Sequence, residues 1–149
     1  MKNILIGVLL FQGIIAHGQN KLNIVPMPAE VKMGAANKFF TISKSTILQI
    51  DDSKSSQTYL AWYLQKNIMD KYGFDLPIRP SRQREINGNS IKLILAPAQI
   101  KSTNAYNLSV TSTGITITGD TDEALFYAIQ TLFQLLPETN VKALKANNN

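Results

Sequence analysis

Between Tyr106 and Leu136 the spacing of the apolar residues changes from every second position to a helical repeat, and this change constrains the fold more than any other feature. Tyr106, Leu108 and Val110 alternate with Asn107, Ser109 and Thr111, Ser112-Thr113-Gly114 supplies a turn, and Ile115 and Ile117 alternate with Thr116 and Thr118. Such alternation around a Gly-containing turn predicts a β-hairpin with one apolar and one hydroxyl-rich face. After Gly119, the residues Leu125, Ala128, Ile129, Leu132, Phe133 and Leu136 recur at helical spacing, with Gln130, Thr131 and Gln134 opposite, until Pro137 stops the run. Asp120 and Glu123, three apart before that run, predict a capping box with Asp120 in the cap position. A one-sided hairpin followed at once by a one-sided helix fits a sheet with one face under a helix layer and the other wetter.

A second helix is predicted from about Ser55 to Tyr72. The cap-type residues Asp51-Asp52-Ser53 precede it and Gly73 follows it. Leu60, Tyr63, Leu64 and Ile68 form its core stripe, yet Trp62 and Met69, seven apart, fall nearly opposite Leu64 and Ile68. A helix that is apolar on two sides is either covered by something else or leaves an exposed patch of the kind that marks contact surfaces. Trp62 and Met69 are therefore expected to be more exposed than Leu60, Leu64 and Ile68. Short strands are expected at Glu30–Met33, Phe39–Ile42, Thr46–Ile50 and Ile91–Ala96, with an edge strand at Phe74–Ile78, where Pro77 cannot donate to a ladder. The predicted class is α+β: a mainly antiparallel sheet of several strands with two main helices packed on it, in one domain spanning residues 19–137. Residues 138–149, with only Val141, Ala143, Leu144 and Ala146 apolar, read as a linker. At 149 residues the chain has no room for a large catalytic barrel, which takes about 250 residues.

The first 18 residues carry Lys2, an apolar stretch from Ile4 to Ile15 broken only by Gly7, Gln12 and Gly13, and then Ala16-His17-Gly18. That is the pattern of a secretory signal peptide cleaved after Gly18. A membrane span needs about 20 apolar residues, and Gln19, Asn20 and Lys21 arrive too soon. The mature protein is expected in the periplasm or the medium, with no membrane span after signal removal. Cleavage also removes His17, the single histidine, from a chain that has no cysteine. The mature protein then lacks the usual transition-metal ligands, any Cys/His or Ser/His nucleophile pair, and disulfides. No metal is expected, and with neither GxGxxG nor GxxxxGK[ST] among its glycines no phosphate-bearing cofactor is expected either. Losing Lys2 lowers the formal charge from +5 by one. The remaining basic residues are dispersed apart from Arg79, Arg82 and Arg84, too short a cluster for a nucleic-acid surface.

Asp122-Glu123 invites comparison with the paired carboxylates of glycosidases. Neighbours on a helix point about 100° apart, so these two cannot converge on one substrate atom; in a first turn they complement the helix dipole. Asp51-Asp52 lacks the DxDxDG spacing and terminal Glu of a calcium loop. Asn107-Leu108-Ser109 matches the glycosylation triplet, a common coincidence, and is given no role. Tyr59, Trp62 and Tyr63 could stack on sugar rings, although three aromatics on one helix are more often core and interface residues. No catalytic residue is assigned.

Leu22-Asn23-Ile24-Val25-Pro26-Met27-Pro28, Glu30-Val31 and Phe40-Thr41-Ile42 resemble the opening of the small N-terminal domain of family 20 β-N-acetylhexosaminidases. Ala105-Tyr106-Asn107-Leu108-Ser109-Val110, Gly114-Ile115-Thr116-Ile117-Thr118-Gly119 and Leu125-Phe126-Tyr127-Ala128-Ile129-Gln130-Thr131-Leu132 resemble the strand, strand and helix that close it. Tyr63-Leu64 and Gly73-Phe74-Asp75-Leu76-Pro77 extend the resemblance over nearly all of Leu22 to Pro137. It implies an α+β sandwich placed before a (β/α)8 barrel. In that family the barrel holds a His-x-Gly-Gly-Asp-Glu motif, whose Asp positions the substrate acetamido group as nucleophile and whose Glu is the general acid/base, a substrate-assisted exception to the two-carboxylate scheme. Asp122-Glu123 has neither the preceding His nor the glycines, so no catalytic residue carries over. What the resemblance implies is a non-catalytic domain, from a truncated product or fragment, that packs against and supports a barrel of the same or a neighbouring polypeptide. That barrel would remove terminal N-acetylhexosamine. The alternative expectation is a stand-alone exported carbohydrate-binding or interaction module.

Overall fold

A computed structural model describes residues 23–34, 39–51, 53–82, 86–97 and 104–138. The expected signal segment 1–18, Asp52, Arg84 and all of the expected linker beyond Glu138 lie outside the described residues. In chain order the elements are β1 (Ile47–Ile50), α1 (Ser55–Tyr72), β2 (Ile78–Pro80), β3 (Ser90–Leu95), β4 (Tyr106–Val110), β5 (Gly114–Gly119) and α2 (Asp122–Leu135).

Helix α1 has the bounds its sequence predicts, and Gly73 ends it in the left-handed conformation at φ 79°, donating its N–H to Met69 O. Its start differs from expectation. Lys54 occupies the cap position without a side-chain bond. The Asp51 carboxylate instead accepts the Ser53 N–H and hydroxyl (3.1 and 2.6 Å), and the Gln57 side chain accepts the Asp51 N–H at 3.0 Å. Asp51 thus closes a local Asx-type turn just outside the helix. At α2 the cap is Thr121, one residue later than predicted: its Oγ accepts the Ala124 N–H at 3.1 Å and its hydroxyl donates to Asn104 Oδ1 at 2.9 Å. The Asp120 N–H is bound to Ala105 O, so hairpin pairing continues through Asp120 and the helix begins only beyond it.

The five strands form one sheet in the order β2-β1-β3-β5-β4. It is mixed, which corrects the expectation of a mainly antiparallel sheet: β1 pairs in parallel with β2 and β3, β3 pairs in parallel with β5, and only the predicted hairpin β4–β5 is antiparallel. The cause is connectivity. Helix α1 carries the chain from β1 back to the same end of the sheet before β2 begins, and a crossover of that kind makes neighbouring strands parallel. The edge strand lies at Ile78–Pro80, later than Phe74–Ile78, and the outermost place suits Pro80, which has no N–H to give. Residues 30–33 and 39–42 belong to no strand. Val31, Met33 and Phe39 are exposed, while Phe40 and Ile42 pack against the core without pairing to a strand.

Both helices lie on one face of the sheet. Leu48, Ile50, Ile91, Leu93, Ile115 and Ile117 from the strands meet Leu60, Leu64, Ile68, Leu125, Ala128, Ile129 and Leu132 from the helices in one core. Each large side chain so buried contributes about 1.5–3 kcal/mol. Close approach at the α2 end depends on Gly119, where a Cβ would lie 2.9 Å from Leu125 N and 3.0 Å from its Cγ. One residue expected to point outward is in fact buried. Thr131 is only 4% exposed, and its hydroxyl bonds the Tyr106 hydroxyl at 2.7 Å, which satisfies both polar groups beneath the helix layer.

Candidate functional site

The outer side of the helix layer carries the feature the sequence singled out. On α1, Tyr59, Trp62 and Met69 are 61%, 51% and 43% exposed, whereas Leu60, Leu64 and Ile68 are at most 4% exposed. The two-sided helix is therefore real, and its second apolar side is uncovered within this domain. Tyr127 extends the exposed aromatics onto α2. Tyr63 belongs to the seam between the helices: its ring lies 5.4 Å from Phe126 and 6.0 Å from Phe133, and its hydroxyl accepts from Gln130 Nε2 at 3.0 Å. Tyr59 and Trp62, with centroids 6.3 Å apart, are tilted by 36°, so they present no common plane on which a sugar ring could lie.

Both ends of the described chain are fastened to the same layer. The Gln134 amide holds the backbone of Val25 through two bonds, and it is a residue that sequence reasoning placed in solvent; its partner lies so far away along the chain that no local pattern signals it. At the other end, the Tyr72 hydroxyl donates to Pro137 O at 2.8 Å and Lys71 Nζ lies 3.6 Å from a Glu138 carboxylate oxygen. The last described residues thus lie against the C-terminal end of α1.

The acidic candidates do not converge. Glu123 is exposed while Asp122, beside it in the first turn of α2, turns inward. Asp120 and Asp122 each keep one buried carboxylate oxygen without a hydrogen-bond partner. Among the described residues, a cleft of about 330 Å³ between the C-terminal ends of the helices carries one acid, Asp70, beside Lys71, and a second, of about 240 Å³ at the Ser90 and Gly114 ends of β3 and β5, is lined by Lys92, Asn87 and hydroxyl side chains with no acid. The Ser53 hydroxyl and N–H, with smaller help from Lys54 and Arg82, hold the Asp51 carboxyl below the usual carboxylate range. Among the described residues no group of three His, Cys, Asp or Glu is placed to hold a metal ion, and no helix is long and apolar enough to cross a membrane. Arg79 and Arg82 are exposed, and Asn107 lies exposed on the edge strand β4.

Fold and surface together define a two-layer α+β domain with an exposed aromatic row on its helical side. Residues 21–148 match the sequence profile of glycosyl hydrolase family 20, domain 2, and the chain belongs to that family. Among solved structures it is similar to the GH20 β-N-acetylhexosaminidase of Streptomyces coelicolor A3(2), with 32% identity and a TM-score of 0.62 over 74% of this chain and 20% of that one. It is also similar to the N-acetyl-β-hexosaminidase of Streptomyces plicatus in complex with Thio-NAglucal, with 31% identity and a TM-score of 0.64 over 76% of this chain and 21% of that one. The chain thus spans about a fifth of the length of these enzymes. Curated proteins yield no match.

Proposed function

We propose that this chain is the exported, non-catalytic N-terminal domain of a β-N-acetylhexosaminidase-like protein, with its helical side packed on a catalytic (β/α)8 barrel that removes terminal N-acetylhexosamine. The observation that carries this reading is the family match on a chain that corresponds to only a fifth of its enzyme relatives. Trp62, Tyr59 and Met69 supply the apolar row to be covered. Covering side chains of this size contributes about 1.5–3 kcal/mol for each one fully buried, enough for a few of them to hold a domain contact of ordinary size. Export is supported by the pattern from Lys2 to Gly18.

The test is to read the coding DNA beyond Asn149 and express whatever frame follows. A barrel carrying the acidic motif, active on an aryl N-acetylglucosaminide only when joined to or mixed with this domain, is the expected result. Turnover by the purified 149-residue chain alone would overturn the proposal. A change in the fluorescence of Trp62, the single tryptophan, on titration with chitooligosaccharides would favour a stand-alone exported carbohydrate-binding module instead. Amino-terminal sequencing of the secreted protein should begin at Gln19.

A further inference from the structure

The two edges of the sheet are built differently. At one, β2 is three residues long, ends in Pro80 and carries the exposed Arg79, which is the short, charged, proline-bearing edge that keeps further strands from adding. At the other, β4 reads Tyr106-Asn107-Leu108-Ser109-Val110, with no charge and no proline. The hydrogen bonds at both ends of the hairpin fix which backbone groups this edge presents. Thr111 N–H donates to Gly114 O and Asp120 N–H donates to Ala105 O, so in the alternation of an antiparallel ladder Ala105, Asn107, Ser109 and Thr111 bond inward to β5. Tyr106, Leu108 and Val110 turn their N–H and C=O groups outward, and among the described residues no strand lies beyond them. Their side chains share the helical side of the sheet: the Tyr106 hydroxyl meets Thr131, Leu108 packs against the core, and Val110 is 48% exposed. Asn107 and Ser109 are exposed on the other face.

We infer that β4 is a self-pairing edge whose occupant is β4 of a second copy of this chain, joined antiparallel about Leu108 so that the two five-stranded sheets become one. In that register the strand is its own complement. Tyr106 falls opposite the partner's Val110, Leu108 opposite the partner's Leu108, and Asn107 opposite the partner's Ser109, so apolar side chains meet apolar ones under the helices and an amide meets a hydroxyl on the open face. Every outward N–H then finds an outward C=O, because Tyr106, Leu108 and Val110 are paired only with one another and each such pair exchanges both of its bonds. A slip of one residue would set outward groups against groups already bonded to β5 and polar side chains against apolar ones. With no charge on the strand, nothing repels the second copy. The seam uses an edge of the sheet and leaves the outer side of the helices open, so it goes beyond the proposed barrel contact.

The experiment is sedimentation velocity of the full 149-residue chain over rising concentration, in about 20 mM salt, where screening is weak. A seam this short predicts a weak, reversible monomer–dimer equilibrium. In amide hydrogen exchange, Tyr106, Leu108 and Val110 should gain protection as the dimer forms, whereas Asn107 and Ser109, already bonded to β5, should not change. Val110→Pro deletes an outward N–H and no bond within the domain. It takes one donor from each copy and should weaken dimerisation about tenfold. N107K/S109K and N107E/S109E, both at exposed positions, set like charges face to face and should each stay monomeric. An equimolar mixture of the two should recover the dimer, because opposite charges then meet. A chain that is monomeric at every concentration, or a dimer that none of these changes weakens, would overturn the inference. So would a dimer abolished by Trp62→Asp, which would assign self-association to the exposed aromatic row.

Discussion

The side-chain amide of Gln134 grips the backbone of Val25 at both polar groups: the Val25 N–H donates to Oε1 at 2.8 Å and Nε2 donates to the Val25 carbonyl at 2.9 Å. Ile24 beside it is buried, but Val25, Met27, Val31 and Met33 are exposed, so little besides this grip holds the part of the segment that follows Ile24. Exposed hydrogen bonds contribute about 0.5–1.5 kcal/mol each at most, and Gln134→Ala should therefore lower global stability by only about 1 kcal/mol. Its larger effect should be local. Limited proteolysis followed by mass spectrometry should show cleavage within 25–33 several times faster than in the unsubstituted chain. Gln134→Glu keeps an acceptor but loses the donor, and should release the segment nearly as well.

Tyr106 and Thr131 form the one hydroxyl pair that crosses between the hairpin and α2. Either Tyr106→Phe or Thr131→Val leaves a hydroxyl without its partner in a largely buried place, which costs about 1–3 kcal/mol. Removing both should cost less than the sum, because no stranded hydroxyl remains. A double-mutant cycle by urea denaturation should give a coupling of about 1 kcal/mol; additive losses would show that the pair does not act as one.

That pair also shows where the sequence stopped being legible. Helix α1 was readable to the residue because its repeat, and the glycine whose φ of 79° ends it, are local properties. The β4–β5 hairpin and the core stripe of α2 were readable for the same reason. Thr131 looked like a solvent residue because a hydroxyl is ordinarily exposed, and only a Tyr106 hydroxyl brought in from another element makes its burial affordable. The parallel pairing of β1 with β2 and β3 could not be read from alternation, which reports one-sided burial and is silent on strand direction. Of the candidate site, the exposed pair Trp62 and Met69 followed directly from counting around the helix. The clamp from Gln134 to Val25 did not, since nothing in either local sequence names the other.

Gly119 sets the distance between β5 and the start of α2. A methyl group there would press on both Leu125 N and Cγ. Gly119→Ala should destabilise the domain by about 1–3 kcal/mol, the range for overpacking a tight contact. Gly34, whose added Cβ would meet nothing within 4 Å, is the control: Gly34→Ala should be within about 0.5 kcal/mol of neutral. Equal denaturation midpoints for the two variants would contradict the assigned role of Gly119.

Trp62 and Leu64, two positions apart on α1, should respond in opposite ways to where the domain finds itself. Leu64 is fully buried, and Leu64→Ala should cost about 2–5 kcal/mol in the isolated domain. Trp62→Asp removes a half-exposed ring and should cost the isolated domain only about 1 kcal/mol. Under the proposed barrel contact the ranking should narrow in a protein that includes the barrel, because that contact covers the tryptophan. Thermal melts of both variants in both contexts measure this directly. A Trp62→Asp loss as large in the isolated domain as in the longer protein would contradict the packing role.

The turn before α1 should give the domain a small acid sensitivity. The Ser53 hydroxyl is the largest influence on the Asp51 carboxyl, the Ser53 N–H the next, and together they hold its pKa below the usual carboxylate range. A carboxyl whose pKa is lower folded than unfolded binds its proton more weakly in the folded state. The stabilisation it brings is therefore complete above the unfolded pKa and disappears as pH falls through the folded one. Asp51 is only partly buried, so solvent and salt screen the effect and it should be local. Carboxyl-carbon NMR titration should place Asp51 below a free aspartate, and Ser53→Ala should move it upward by removing the hydroxyl while the backbone bond remains. Asp51→Asn keeps an acceptor for Ser53 without the charge, so it should preserve the turn and abolish its pH dependence. A titration midpoint unchanged by Ser53→Ala would show that the hydroxyl does not hold the charge.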